Sequence, residues 1–184
     1  MLTRLRKLGI SLSISICAIV ISIFIAELVV RSLMPQAIVV PWQDEIAGIT
    51  GPRPNAKGRH YVPDAFDVMI SFSSQRFRGQ QEFDEFPSEE GLRLAVLGDS
   101  FAYGYGANDD ETYPVMLEKK LEEWFLDKGR FNDVEVINAA NGGTGTGEQA
   151  RWYELWVKDF HPDIVVLTVT GNDVEDDFKR RMFT

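Results

Sequence analysis

The fold of this chain is decided by the stretch Leu94-Ala95-Val96-Leu97-Gly98-Asp99-Ser100-Phe101-Ala102-Tyr103-Gly104. Its apolar start predicts a buried strand, and Gly-Asp-Ser favours a tight turn that ends the strand. Ser100 therefore follows the carboxyl end of a strand. Ligands bind at that edge of open parallel α/β sheets, so Ser100 is a candidate functional residue. A serine at such a turn can equally be a helix N-cap.

Two helices and two further strands are predicted after this stretch. The first helix begins at Thr112-Tyr113-Pro114, an N-cap threonine and a first-turn proline, and continues to Gly129. The remaining predicted elements are a strand over 134–138, a helix from Glu148 to about Phe160, and a strand over 163–170. The order β-α-β-α-β predicts a three-layer, flavodoxin-like parallel sheet with helices on both faces.

Three loops follow the three strands, and each carries groups suited to acyl transfer. They are Gly98-Asp99-Ser100, Asn141-Gly142-Gly143 and Gly171-Asn172-Asp173. In a flavodoxin-like order the first strand lies between the other two, so these loops meet at one crevice. A serine hydroxyl can attack a carbonyl carbon, and glycine and asparagine amides can stabilise the resulting oxyanion.

These blocks resemble the SGNH (GDSL-like) hydrolases, which are esterases and lipases with a flavodoxin-like fold. The resemblance covers about Leu92 to Asp173 and is carried by Gly98-Asp99-Ser100, Gly104, Gly106, 111–114, Leu117, 138–143 and 171–173. It implies that Ser100 is the nucleophile. It also implies that the Ser100 and Gly143 backbone amides and the Asn172 side chain form the oxyanion hole, with no cofactor and no metal.

The fourth block of that family, an Asp-x-x-His that carries the catalytic acid and base, is absent from the 184 residues. His161 precedes the third strand and is expected some 30 Å from its far end, at about 3.3 Å per residue. His60 lies before the domain, and no pattern directs it to Ser100. We therefore expect an α/β domain that is incomplete at the C-terminus, truncated from a longer protein, and inactive or nearly so by itself.

The N-terminus predicts a single membrane span. No charged residue occurs from Leu8 to Ala26, a length sufficient for a transmembrane helix. Arg4, Arg6 and Lys7 precede it, so the positive-inside rule predicts a cytoplasmic N-terminus and an extracytoplasmic α/β domain. A cleaved signal peptide is the alternative. The apolar run is longer than a usual signal sequence and lacks a clear cleavage site, which favours an uncleaved anchor.

Composition limits the remaining possibilities. The formal net charge of -9 argues against nucleic-acid binding, which needs a basic face. Cys17 is the single cysteine and lies in the apolar run, so neither an intramolecular disulfide nor a thiol nucleophile is expected. A glycine-rich segment follows the second strand, but it matches no nucleotide-binding motif. The acidic clusters near residues 109 and 175 are expected to be solvated rather than to bind a cation.

The predicted organisation is an anchor (1–34), a linker with a small β extension (35–90) and the first part of the hydrolase-like domain (91–184). Within the extension, Phe66–Ser73 alternates apolar and polar residues and predicts a strand that packs on the flank of the domain. The predicted substrate is a small-molecule, glycan or lipid acyl ester. Two alternatives remain open: a polysaccharide O-acetyltransferase using the same acyl-serine chemistry, and a non-catalytic membrane-tethered binding protein of the same fold.

Overall fold

A computed structural model describes residues 2–34, 36–39, 42–126, 128–180 and 182. The chain divides into two compact units, Met1–Ala37 and Ile38–Thr184. Three residues of the predicted linker (35, 40 and 41) and three of the predicted C-terminal end (181, 183 and 184) lie outside the described residues. The side chains of Arg4 and Lys7, on which the predicted topology partly rests, lie outside them as well.

The first unit is helix α1 (Leu2–Leu33). Its segment Gly9–Leu33 is long and apolar enough to cross a membrane, and it is a candidate span. The large apolar side chains along this segment are exposed rather than packed in a protein core. Near its end, Glu27 and Arg31 form an ion pair one helical turn apart, with 2.6 Å between the charged atoms.

The second unit contains seven strands, four helices and two short 3₁₀ helices within the described residues. The strands are β1 (Gln43–Ile46), β2 (Ile49–Pro52), β3 (Lys57–Val62), β4 (Phe66–Ser71), β5 (Gly91–Gly98), β6 (Asp133–Asn138) and β7 (Ile164–Thr168). The helices are α2 (Ser100–Tyr103), α3 (Tyr113–Leu126), α4 (Thr146–Leu155) and α5 (Asp173–Arg180), with 3₁₀ turns at Asp109–Glu111 and Val157–Phe160.

The central sheet is parallel and has the order β6-β5-β7. The predicted flavodoxin-like order, in which the first strand of the domain lies in the middle, is therefore confirmed. Alternate residues of β5 face opposite sides of the sheet. Leu94 and Val96 pack with Phe125 of α3 on one face. Ala95 and Leu97 pack with Trp152 of α4 on the other, so helices cover both faces.

Two antiparallel hairpins precede this sheet, β1-β2 and β3-β4. The strand predicted over 66–73 is confirmed as β4, while its partner β3 and the hairpin β1-β2 were not predicted. Apolar side chains from the hairpins join both cores of the sheet. Trp42, Val68, Ile70 and Phe72 lie with the α3 side, and Ile49 lies with the α4 side. The hairpins thus extend the core of the α/β region.

The second predicted helix differs from the observed one at its end. Helix α4 stops at Leu155, and the segment to Phe160 continues as a 3₁₀ turn after Trp156, whose backbone leaves the helical region. His161 then adopts a left-handed conformation (φ 48°) before β7 begins. At the β7 edge of the described sheet, the side chains of Ile164, Val165 and Leu167 are partly exposed.

Candidate active site

Ser100 is the first residue of α2, directly after β5, and its side chain is half-buried. The turn between strand and helix is tight because Gly98 has no side chain. A Cβ atom on Gly98 would lie 2.5 Å from the Ala102 Cβ, closer than real Cβ contacts allow, and 3.0 Å from the Thr168 Cβ. This position requires glycine, and the close turn presents Ser100 at the carboxyl edge of the sheet.

Asp99 is fully buried and links the first loop to the third. Its carboxylate caps α2 by accepting the Phe101 N–H at 3.0 Å. The same carboxylate accepts the Thr170 hydroxyl at 2.8 Å and the Asn172 side-chain amide at 3.1 Å. The Ser100 hydroxyl lies 3.5 Å from it, at the limit of a hydrogen bond. Asp99 therefore acts as a structural hub: it shapes the turn before Ser100 and joins the first loop to the third.

The second loop is joined to the first through backbone atoms. The Asn141 N–H donates to the Gly98 carbonyl at 2.9 Å, and Asn141 is buried. Gly142 follows, packed so that an added Cβ would lie 3.1 Å from the Trp42 ring. Gly143 is exposed and has a left-handed backbone (φ 74°), a conformation that glycine adopts without strain. This loop therefore presents a flexible, solvent-accessible peptide next to the Ser100 turn.

Asn172 lies on the third loop and is exposed. Its amide nitrogen donates both to Asp99 and to Asp176, each at 3.1 Å. The structure thus brings the Asn172 amide to the carboxylate that precedes Ser100, although both of its N–H groups bond carboxylates in this arrangement. To donate to a bound substrate, the amide must exchange one of these bonds, and the more exposed Asp176 contact is the one it can release.

A cavity of about 210 Å³ opens beside the serine and is lined by Ser100, Phe101, Gly104 and Tyr105. The two aromatic side chains are prominent on the surface, with Phe101 72% and Tyr105 54% exposed. The Tyr105 N–H donates to the Ser100 carbonyl at 2.9 Å, so the aromatic segment is tied to the turn. Large exposed aromatic residues that line a cavity can cover a bound ligand and exclude water from it. They make this cavity a candidate ligand-binding site.

Neither histidine is hydrogen-bonded to Ser100 in the described part of the chain. His161 stacks on Phe86, with ring centroids 4.3 Å apart, before the amino end of β7. It lies at the end of that strand opposite the loop carrying Asn172, as predicted. His60 lies on β3 and is 1% exposed. Its ring makes edge-to-face contacts with Phe66 and Tyr105, and neither ring nitrogen has a hydrogen-bond partner among the described residues.

The buried side chain of Arg78 packs against helix α2, which begins with Ser100. The Arg78 guanidinium lies 4.8 Å from the centre of the Tyr103 ring, at the end of α2, and 2.9 Å from the Asp109 carboxylate. Burial raises the pKa of Tyr103 to about 12. Burial, with the positive charge of Arg78, lowers the pKa of His60 below its ordinary value. Both Tyr103 and His60 are therefore neutral at pH 7, and the tyrosine fixes α2 by packing.

Sequence reasoning missed the residues that support the loops from outside the α/β region. Trp42 stacks on Tyr103 with ring centroids 4.9 Å apart, and Gln43 donates to the Gly142 carbonyl at 2.7 Å. No local pattern marks these residues, which lie about 100 positions before the loop that they contact. Among the described residues, no group of three or more His, Cys, Asp or Glu side chains is arranged to hold a metal ion.

Comparison with known proteins identifies the family of the region that carries these loops. Residues 96–183 match the model of the GDSL-like Lipase/Acylhydrolase family. This match, together with the arylesterase relative described below, supports membership of this region in the SGNH (GDSL-like) hydrolases. The match begins in β5 and includes all three loops of the candidate site. The sheet order and the position of Ser100 agree with the SGNH (GDSL-like) resemblance seen in the sequence.

Two relatives of this GDSL-like region have been found among curated proteins. An arylesterase of Vibrio mimicus is 30% identical over 97 residues, which cover 53% of this chain and 46% of the arylesterase. An uncharacterized protein of Mycoplasma pneumoniae is 30% identical over 93 residues, covering 50% of this chain and 10% of that protein. The chain thus spans less than half the length of either relative.

Proposed function

We propose that this protein is a serine ester hydrolase in which Ser100 is the nucleophile. The observation that carries the proposal is the connection of three loops at one edge of the sheet, where Asp99 joins the loops that carry Ser100 and Asn172. Gly143 lies on the loop held to the Gly98 carbonyl. Membership of the GDSL-like family supports the assignment.

The proposed reaction proceeds through an acyl-serine. The Ser100 Oγ attacks the carbonyl carbon of an ester and loses its proton to a base, and collapse of the tetrahedral intermediate releases the alcohol. Water then attacks the acyl-serine and releases the acid. The backbone amides of Ser100 and Gly143 and the Asn172 side chain donate to the oxyanion that forms in each step. We assign neither histidine as this base, because His161 precedes the amino end of β7 and His60 is buried against the rings of Phe66 and Tyr105.

We propose an ester with an aromatic or similarly flat apolar group as the substrate class. The exposed rings of Phe101 and Tyr105 line the cavity beside Ser100, where they can cover such a group. The relative from Vibrio mimicus carries the name arylesterase, which is consistent with this choice. Acyl esters of glycans or lipids are also accessible to a site with so open a boundary.

The proposed location is the outer side of a membrane, with α1 as a single-pass anchor. Gly9–Leu33 is the candidate span, and the positive charges of Arg4, Arg6 and Lys7 favour a cytoplasmic N-terminus. Proteolysis of intact spheroplasts tests this topology. We expect an added external protease to digest the α/β region while an N-terminal tag remains protected, and protection of both parts would contradict it.

The function is tested by covalent labelling of the full-length protein with a fluorophosphonate ester, which reacts with activated serines. We expect the wild type to be labelled and Ser100→Ala to be unlabelled. Ser88→Ala is the matched control because Ser88 is exposed and lies in the loop before β5, so it should be labelled like the wild type. Equal labelling of Ser100→Ala would refute the nucleophile. Absence of labelling in all three would instead favour a non-catalytic binding protein.

A further inference from the structure

We propose that Gln43, on the first hairpin, is a positioning residue that sets the direction of the Gly143 amide. This inference rests on the proposed function, because it concerns the oxyanion hole of that same site. Gln43 begins β1, and its side-chain nitrogen donates to the Gly142 carbonyl oxygen at 2.7 Å. The same nitrogen lies 3.4 Å from the Asn141 side-chain oxygen.

The direction of the Gly143 N–H follows from the geometry of one peptide unit. The carbonyl of Gly142 and the N–H of Gly143 belong to the same planar peptide group, which is trans. In a trans peptide these two bonds point in opposite directions. Gln43 holds the carbonyl oxygen toward the hairpin, so it directs the Gly143 N–H away from the hairpin. An oxyanion donor stabilises a transition state only if it is aimed before the reaction at the place where charge develops.

Two glycines make this control necessary. Gly142 and Gly143 carry no side chain that would restrict rotation of the peptide between them, and Gly143 already has a positive φ of 74°. The hydrogen bond to the Gly142 carbonyl restrains this rotation and therefore the direction of the Gly143 N–H. The bond from Gln43 selects one of the orientations that the glycines permit.

The hairpin is well placed to hold Gln43 still. Its neighbour Trp42 is buried and stacks on Tyr103, with ring centroids 4.9 Å apart. On the adjacent strand the Thr50 carbonyl accepts the Asn141 side-chain amide at 2.6 Å. The hairpin and the loop are thus joined by two polar contacts that run in opposite directions, beside an aromatic stack. The Gln43 amide group is fixed relative to the loop that it orients.

The test compares Gln43→Glu with the wild type in the full-length protein, using p-nitrophenyl acetate. Glutamate has the same shape but cannot donate to the Gly142 carbonyl. Loss of an oxyanion donor typically lowers kcat about 10² to 10³-fold, and misdirection of one of three donors should cost less. We expect kcat to fall about 10 to 100-fold, KM to change less than twofold, and Tm to stay within a few degrees. Glu45→Gln is the control: it is exposed on the same strand, and it should keep the wild-type kcat.

Two further measurements separate positioning from a general loss of structure. Gln43→Lys restores a donor one bond longer and should recover part of kcat. A boronic acid that forms a tetrahedral adduct on Ser100 should bind Gln43→Glu more weakly, by the same factor as the fall in kcat/KM, because the adduct places an oxygen in the oxyanion position.

The outcomes distinguish the two proposals. If Ser100→Ala abolishes activity but Gln43→Glu keeps kcat within twofold, the positioning role is wrong and the serine hydrolase remains. The positioning role is also overturned if the loss is confined to KM, if it matches a large fall in Tm, or if boronate affinity is unchanged. If Ser100→Ala is as active as the wild type, the proposed function fails, and the role of Gln43 fails with it.

Discussion

Replacement of Asp99 by asparagine is expected to destabilise the fold, and the structure gives the magnitude. The Asp99 carboxylate is buried, and one of its oxygens accepts the Thr170 hydroxyl at 2.8 Å and the Asn172 amide at 3.1 Å. Asparagine can keep the helix cap with its carbonyl oxygen, at the position that accepts the Phe101 N–H. Its NH₂ group then meets two donors.

The two contacts respond differently to this change. The Thr170 hydroxyl can turn and accept a hydrogen bond, but the Asn172 amide nitrogen cannot. One hydrogen bond to a charged group is lost, which costs about 1.5–3 kcal/mol, and the loss of negative charge weakens the others. A total of about 3 kcal/mol corresponds to a fall in Tm of about 6–12 °C for a unit of this size.

Thermal unfolding of the full chain in detergent, followed by circular dichroism, measures this effect. Asp110→Asn is the matched control, because Asp110 is exposed and the substitution removes the same charge. We expect the control to change Tm by less than 2 °C. If Asp99→Asn also changed Tm by less than 2 °C, the description of Asp99 as a hub that joins the first and third loops would be refuted.

Two further predictions concern the surroundings of the site. Burial and the charge of Arg78 lower the pKa of His60, so the unfolded chain binds a proton at this histidine more readily than the folded chain. The contribution of neutral His60 to the free energy of unfolding is complete above pH 6.5 and is lost as the pH falls toward the folded-state pKa. Between pH 7.5 and 5.5, the Tm of His60→Leu should therefore fall less than that of the wild type. The free energies of unfolding of the two proteins should differ in their slope against pH by at most about 1.4 kcal/mol per pH unit. Identical slopes would contradict this prediction. Gly145→Ala should lower Tm by several degrees, because a Cβ there would lie 2.6 Å from the Asp173 carbonyl oxygen and displace α5 from α4. Gly171→Ala is the control and should not lower Tm, because a Cβ at Gly171 meets no described atom within 4 Å. Equal values of Tm for the two variants would show that α5 can move freely.

The sequence was sufficient to predict the sheet because its strands are encoded locally. Leu94–Leu97 and the apolar run before Thr168 are continuous, as expected for strands buried between helices. The glycine, asparagine and serine residues that follow each strand identify the loops of the candidate site. The loops meet as predicted because β5 lies between β6 and β7, so the carboxyl ends of the three parallel strands share one edge of the sheet.

The hairpin β1-β2 was less predictable because its strands lack a clear alternation of apolar and polar residues. Gln43–Ile46 contains three polar residues, and Ile49–Pro52 contains a glycine and a proline. Their pairing depends on a two-residue turn, Ala47-Gly48, in which both residues have positive φ, and on burial of Trp42 and Ile49. Such contacts join residues far apart in the chain, and a local pattern does not contain them.

The supporting residues of the site escaped prediction for the same reason. Gln43 binds the Gly142 carbonyl across 99 positions, and the Asp177 carboxylate accepts the Gly147 N–H across 30. Nothing in the local sequence distinguishes Gln43 or Asp177 from other polar residues. Each contacts a glycine-containing segment only in the folded chain. The candidate site residues follow strand ends, whereas the residues that hold the loops can lie anywhere in the chain.

The shared core of hairpins and sheet has an evolutionary consequence. The similarity to the GDSL-like family begins at residue 96, inside β5, whereas Trp42, Val68, Ile70 and Phe72 pack with Val96 in one cluster. Gene recombination that exchanged only the matched segment would separate residues that pack together in one hydrophobic core. We therefore expect the hairpins and the matched segment to be inherited together and to accumulate compensating substitutions. For the same reason, a chimaera joined after Ala37 should fold more readily than one joined at residue 95.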